Sequence, residues 1–297
     1  MRGAIITMKS KSNSLLTLPA IVSVAVVTQV LFLATIFLSF IKWIVIRPDL
    51  GKSFAGIKNY VWIFKAPETY QIIGNTILIT ALSLTLCLIL GFCFSLLLNR
   101  RFPLRKLCRM FVLIPFFMTP AVIGIIWKTL LLHPSFGITG YISQIYNSAP
   151  IDFFGQHAFI SIIILIVWQW TPFFVLIILA GLQGVNPEMI ESAQIDGASS
   201  IRILFQIKIP ALRYHIQVAT MLGMIFILKV FGLIYVTTRG GPGFTTTNLP
   251  YQVFKISYYK WDIGQAASYA TLMVAMSLII IMVMFNFIQK QIKRLEI

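Results

Sequence analysis

Six long apolar runs constrain this chain more than any other feature. They occupy residues 15–40, 72–98, 110–132, 158–181, 216–236 and 266–288. A hydrocarbon layer about 30 Å thick is crossed by roughly 20 apolar residues of α-helix. A helix is required because lipid offers no partner to an unpaired backbone N–H or C=O. Only Lys128 and Lys229 place an acid or base inside any of the runs, and Lys229 makes the fifth the least regular. The stretch 129–151 also lacks charge, but its Pro, Gly and Asn content predicts a loop. The expected fold class is an all-α polytopic membrane protein with six transmembrane helices.

Composition closes the other classes. Hydrophobic residues make up 58% of the 297-residue chain and charged residues 11%, where a soluble domain carries roughly 25% charged. A soluble globule, a disordered chain, a coiled coil and a secreted disulfide scaffold are all excluded. Cys87, Cys93 and Cys108 are odd in number, and two lie in an apolar run, so they imply no disulfide framework. His133, His157 and His215 lack metal-ligand spacing. Arg2, Lys9 and Lys11 resemble the basic start of a signal peptide. The apolar run that follows is too long and lacks a small-residue cleavage site, so a retained first helix is expected.

The formal net charge is +16. No continuous basic face is available to nucleic acid, and the charge reads instead as a topological signal. With the N-terminus inside, fourteen basic residues fall in cytoplasmic segments and eight in external loops. Both termini are therefore expected in the cytoplasm. The loop 41–71, with five basic residues, runs against that bias. The chain divides into 1–70 (tail, first helix and external loop), a core 71–289, and a cytoplasmic tail 290–297.

One connector is too structured for a plain loop. In the segment 184–213, Asn186 is a good N-cap and Pro187 suits the first helical position. Glu188 and Glu191 complement the positive helix end, and Gly197 can end the helix in a left-handed conformation. A short helix over about 187–196 is predicted outside the membrane. A second segment, 199–209, mixes Ile201, Leu204, Phe205 and Ile207 with Arg202, Gln206 and Lys208, and Pro210 is expected to break the chain before the fifth span. On these residues alone, an interfacial amphipathic helix on lipid headgroups accounts for the pattern equally well.

The same segment resembles the cytoplasmic signature of ABC importer permeases: Glu-Ala-Ala, three residues, Gly, nine residues, Ile-x-Leu-Pro. Here it reads Glu191-Ser192-Ala193, then Gly197, then Ile207-Lys208-Ile209-Pro210, with Ser192 and Ile209 as mild departures. Phe54-Ala-Gly-Ile-Lys-Asn-Tyr60, Trp168-Gln-Trp-Thr-Pro-Phe-Phe174, Ile195-Asp-Gly-Ala-Ser199, and Ile234-Tyr-Val-Thr-Thr-Arg-Gly-Gly-Pro-Gly243 followed by Thr246-Thr-Asn-Leu249 resemble the carbohydrate-uptake, maltose-type branch. Gly232 departs from that branch, where an Asp is common before Ile-Tyr.

The resemblance implies a type I importer permease fold whose short helix couples to an ATP-binding subunit. Glu191 and Asp196 would offer charge to it, Ala193 and Ala198 would allow close approach, Gly197 would set the turn that leads the chain back to the membrane, and Glu188, Ser192, Ile207 and Pro210 would belong to the same coupling segment. It also implies a second permease subunit, two ATP-binding subunits that hold ATP and Mg, an extracytoplasmic solute-binding protein, a sugar or polyol substrate, and a place among the lipids of a prokaryotic inner membrane. Two permeases would then alternate between inward-facing and outward-facing states.

This chain is expected to hold no ATPase site, metal or cofactor. Gly51-Lys52-Ser53 resembles the end of a phosphate-binding loop, but the required earlier Gly is Ile46. An ion-coupled secondary transporter is the alternative, yet none of the eight acids falls in a span, where such carriers commonly place one. A membrane enzyme would need paired acids, a metal cluster or a Ser/His/Asp set, and none is in reach. Sugars stack on aromatic faces and bond to amides and ammonium groups. Asn75, Trp168, Trp170, Lys229, Tyr235 and Tyr269 are therefore candidates for a substrate pathway. For the aromatics the competing role is anchoring at the membrane interface, and for Lys229 it is snorkelling.

Overall fold

The computed structural model describes residues 2–294, with side chains from 17 to 286. The basic side chains of the two tails, and Glu296, lie outside that range. In chain order the elements are α1 Arg2–Ser39, β1 Ile41–Lys42, β2 Ser53–Phe54, α2 Lys58–Lys65, α3 Pro67–Asn99, α4 Arg105–Phe117, α5 Pro120–Ile125, α6 Ile138–Ile145, α7 Ala158–Gln183, α8 Pro187–Ile195, α9 Ser200–Ile203, α10 Ile209–Leu228, α11 Gly232–Val236, α12 Leu249–Lys255 and α13 Ile263–Arg294. Among the described residues five helical stretches are long and apolar enough to cross a membrane: Thr17–Ser39, Pro67–Asn99, Ala158–Gln183, Ser200–Val236 and Ile263–Asn286. A bent pair, Arg105–Phe117 with Pro120–Leu131, makes a sixth when its two halves are counted as one span.

Three expectations are corrected. The third run is not one helix: α4 and α5 meet at 97°. Pro120 restricts the residue before it to extended backbone, and Thr119 adopts ψ 146° and caps α5 by accepting from the Val122 N–H. The charge-free stretch 129–151 holds a short helix, α6, because Ile138, Tyr141, Ile142 and Ile145 repeat at helical spacing after Gly137. Pro210 does not break the chain. A wide turn over Leu204–Lys208, in which the Ile209 N–H reaches the Leu204 carbonyl five residues back, joins α9 to α10. Such a turn leaves room where Pro210 supplies no N–H. The interruption of the fifth span falls later, at Lys229–Phe231.

The chain forms two compact units. One comprises residues up to Ala66 with Val253–Leu272. There β1 pairs antiparallel with β2, and Asn59 ties α2 to the end of α1 by donating to the Ser39 and Ile41 carbonyls at 2.8 and 3.0 Å. Ser268 donates to the same Ser39 carbonyl at 3.1 Å. Asp262 caps α13 by accepting from the Gln265 N–H at 2.9 Å. Burial pushes its carboxyl above the usual carboxylate range, against the lowering effect of the backbone N–H groups of Gln265 and Gly264.

The second unit, Pro67–Gln252 with the chain from Met273 on, is organised around α7. That helix buries most of its length between α3 and α10. Small residues let the helices close, as is common where lipid gives no hydrophobic drive to association. A β-carbon at Gly91 of α3 would lie 2.5 Å from Phe174 Cβ, and one at Gly223 of α10 would collide with the tip of the same ring. Phe174 is fully buried between these two notches. Ser95 adds a polar tie, donating to the Val175 carbonyl at 3.1 Å.

Candidate functional site

Two regions carry the residues picked from the sequence. The first is the segment 184–213. Asn186 caps α8 by accepting from the Glu188 N–H at 3.0 Å, with Pro187 at the first helical position. At the far end the Gly197 N–H donates to the Gln194 carbonyl at 3.1 Å and the Ala198 N–H to the Ala193 carbonyl at 2.9 Å. Gly197 has φ +79°. These two bonds and the left-handed residue make a Schellman ending. Ala193 and Ala198, both half-buried, are joined through it. Ser199 then caps α9 by accepting from the Arg202 N–H at 3.3 Å.

No residue of α8 is buried. Glu188, Glu191, Ser192 and Asp196 are exposed, and so are the apolar Met189, Ile195 and Ile201, Ile195 at 86%. Ile207 is half-buried and Pro210 exposed at the foot of α10. The arrangement is a rigid, doubly capped helix that presents acid and apolar groups together. Exposed apolar groups of this kind mark a contact with protein or with membrane.

The second region is where the backbone breaks. Irregular backbone at membrane depth is tolerated only inside protein or against a wet cavity. The break after α4 is satisfied by Gln169 of α7, whose amide donates to the Met118 carbonyl at 3.2 Å. The break after α10 is satisfied by Asn248, which donates to the Val230 carbonyl at 2.6 Å and accepts from the Tyr251 N–H at 3.1 Å. The Lys128 ammonium donates to the Thr237 carbonyl. Between them, the turn 238–248 is knit by Thr246 to Thr238 and Gly241, and by Thr247 to Gly240, at 2.7–2.9 Å.

Of the six pathway candidates, the structure brings Trp170 and Lys229 together. Trp170 stacks on Phe226 with centroids 5.1 Å apart, and the exposed Lys229 holds its ammonium 5.4 Å from the same ring. Tyr235, partly exposed, stacks on Phe231 at 5.5 Å. Trp168 meets Trp127 edge-on at 5.4 Å. Asn75 is buried and spends its amide on the turn, donating to the Phe244 and Thr247 carbonyls at 2.7 and 3.1 Å. Tyr269 belongs to the other unit and is fully buried. Sequence reasoning missed Gln169 and Asn248. Their signal was available: each is an amide set among apolar residues, where an unpartnered one is costly. Gly232 also gains a reason, since a β-carbon there would come 3.0 Å from Pro120 Cβ and leaves little space for an Asp.

Among the described residues no group of His, Cys, Asp and Glu could hold a metal ion. Residues 84–295 match the family described as binding-protein-dependent transport system inner membrane component. The chain is 34% identical over 278 residues, 92% of each protein, to the trehalose/maltose transport system permease protein MalF of Thermococcus litoralis. It is 31% identical over 242 residues to the sulfoquinovosyl glycerol transport system permease protein SmoG of Agrobacterium fabrum, covering 81% of this chain and 78% of that one. Its fold is similar to a chain of a solved bacterial alginate ABC transporter in complex with an alginate pentasaccharide-bound periplasmic protein. That match has TM-score 0.79 at 20% identity and covers 96% of this chain and 98% of the other. The match over residues 84–295, with the fold that accompanies it, shows that this chain belongs to the family of binding-protein-dependent transport system inner membrane components.

Proposed function

We propose that the chain is the permease subunit of an ATP-binding-cassette importer that moves a sugar or sugar alcohol across the inner membrane by alternating access. The observation that carries this is the doubly capped α8 with its exposed acids, placed within the family match. The names of relatives that act on trehalose, maltose and a sulfoquinovosyl glycerol support the sugar class. In this reading α8 seats in an ATP-binding subunit through Glu188, Glu191, Asp196 and Ile195. ATP and Mg are held by two such subunits, and the chain itself performs no hydrolysis. A second permease completes the membrane pore, and an extracytoplasmic solute-binding protein delivers the substrate. Both termini face the cytoplasm, and 71–289 is the permease core. Proteoliposomes holding the whole complex take up a labelled disaccharide only with ATP on the α8 side and binding protein on the other. Uptake driven by an imposed proton or sodium gradient without ATP overturns this reading in favour of an ion-coupled carrier.

Within the pathway the proposal keeps Trp170, Tyr235 and Lys229, which stand beside the break after α10. An aromatic face takes the apolar side of a sugar ring, and the Lys229 ammonium donates to its hydroxyls. A hydrogen bond to a charged group contributes about 1.5–3 kcal/mol. Lys229→Met should therefore raise the substrate concentration for half-maximal uptake by about tenfold or more at unchanged membrane level. Unimpaired uptake across the concentration range removes Lys229 from the pathway and leaves it a snorkelling side chain.

A further inference from the structure

The turn between α3 and α4 carries Arg100 and Arg101, the start of α4 carries Arg105, Lys106 and Arg109, and no acidic residue occurs in the sequence between Glu68 and Asp152. The chain around the turn therefore supplies no carboxylate for these cations. Arg101, Arg105 and Lys106 line one concavity together with Phe102, Leu104 and Leu107. Those three apolar side chains are themselves exposed, Leu104 at 69%. Arg109 spends Nη2 on the Leu98 carbonyl at 3.0 Å, while its buried Nε has no hydrogen-bond partner.

An apolar groove of about 610 Å³ lies between α3, α4 and α7. Leu86, Leu90 and Phe94 line it from α3, Phe111 and Pro115 from α4, and Trp168 from α7. Leu86, Leu90 and Phe94 are spaced by four, so they form one stripe of α3 that leads toward its end at Asn99. Leu107 of the basic concavity, and Phe111 and Pro115 of the groove, are spaced in the same way along α4. Along α4 the basic concavity and the groove are thus linked by one stripe of side chains, Leu107 to Phe111 to Pro115.

We infer that this face binds an anionic phospholipid, its phosphate held by Arg101, Arg105 and Lys106 and one acyl chain laid in the groove against Trp168. Charge selects the headgroup, since unpaired cations beside an apolar surface at a helix end attract anionic lipid. The groove selects a lipid over a soluble protein partner: an acidic surface outside the membrane would match the cations but has no use for an apolar channel that runs along the spans. The inference does not depend on the transport reading.

Acyl-brominated lipids quench tryptophan only on close approach, and Trp168 reports on the groove. The full chain in detergent is titrated with brominated phosphatidylglycerol and with brominated phosphatidylcholine. Each basic residue near an anionic headgroup is worth about 1 kcal/mol, or roughly fivefold. Half-quenching should therefore need at least several-fold less phosphatidylglycerol. Trp168→Phe should remove most of that high-affinity quenching. The triple variant Arg101→Gln, Arg105→Gln, Lys106→Gln should bring the two lipids to equal affinity. Arg101→Lys with Arg105→Lys keeps the charge and should keep the preference, and it serves where the triple variant does not insert. Equal quenching by both lipids, or quenching untouched by Trp168→Phe, overturns the proposal. A charge-conserving variant that folds but loses the preference overturns it as well. A triple variant that keeps its lipid preference but loses association with the ATP-binding subunits would assign the cations to a protein contact instead.

Discussion

Uptake is expected to vanish in Gly197→Pro while membrane insertion and the level of the protein stay normal. Gly197 sits at φ +79°, which the proline ring, fixed near −65°, cannot reach. The substitution also removes the N–H that donates to the Gln194 carbonyl. The Schellman ending is then lost, and the turn that aims α8 with it. A proline misplaced in this way costs about 3 kcal/mol or more, enough to reduce the docked population by roughly a hundredfold. Gly197→Ala is the graded control. Nothing lies within 4 Å of its added β-carbon, so only the left-handed backbone is penalised, at about 1–2 kcal/mol, and uptake should fall by an intermediate factor. ATP hydrolysis by the reconstituted complex is measured beside uptake. Proline-variant complexes that transport and hydrolyse normally would mean that α8 is only a surface helix.

The second large effect lies in the α3–α7–α10 core. Gly223→Ala drives a methyl into the tip of the Phe174 ring, and Gly91→Ala drives one against Phe174 Cβ, its carbonyl carbon and the Val175 nitrogen. Overpacking of a core costs about 1–3 kcal/mol. The two variants should respond differently to a second change. Phe174→Leu removes the ring tip and should restore much of the stability lost in Gly223→Ala. It leaves Cβ and the backbone in place and should not restore Gly91→Ala. Thermal melts of the three single and two double variants in detergent check this. Equal rescue of both glycines would show that Phe174 is not wedged as described.

The spans were legible because lipid imposes one rule on all of them: a long apolar helix. Residues 72–98 and 158–181 fall inside α3 and α7, and the caps of α8 were readable at Asn186, Pro187 and Gly197 because each acts within its own few residues. What stayed hidden depends on distant partners. Pro210 reads as a stop because proline forbids a regular turn, and nothing nearby in sequence announces the wider turn that absorbs it. The bend at Thr119–Pro120 had its local signal, yet hydropathy ran straight across it. Asn75 looked like a pathway amide, but its partners are 169 and 172 residues away. Trp168 and Trp170, two apart in sequence, belong to different aromatic groups because a helix turns them to different sides.

The unbroken path from α9 through Pro210 to Leu228 has a mechanical consequence. From Ser200 to Leu228 the chain is one rod, about 40 Å long at 1.5 Å per residue. Had Pro210 been a joint, displacement of α8 would have been absorbed there as slack, at the membrane surface. Instead the rod passes thrust along its axis, and its first compliant point is the interruption at Lys229–Phe231, with Asn248 as its latch on the Val230 carbonyl. Under the proposed coupling, motion imposed at one end of this rod would be delivered as bending at the other, beside Lys229 and Tyr235.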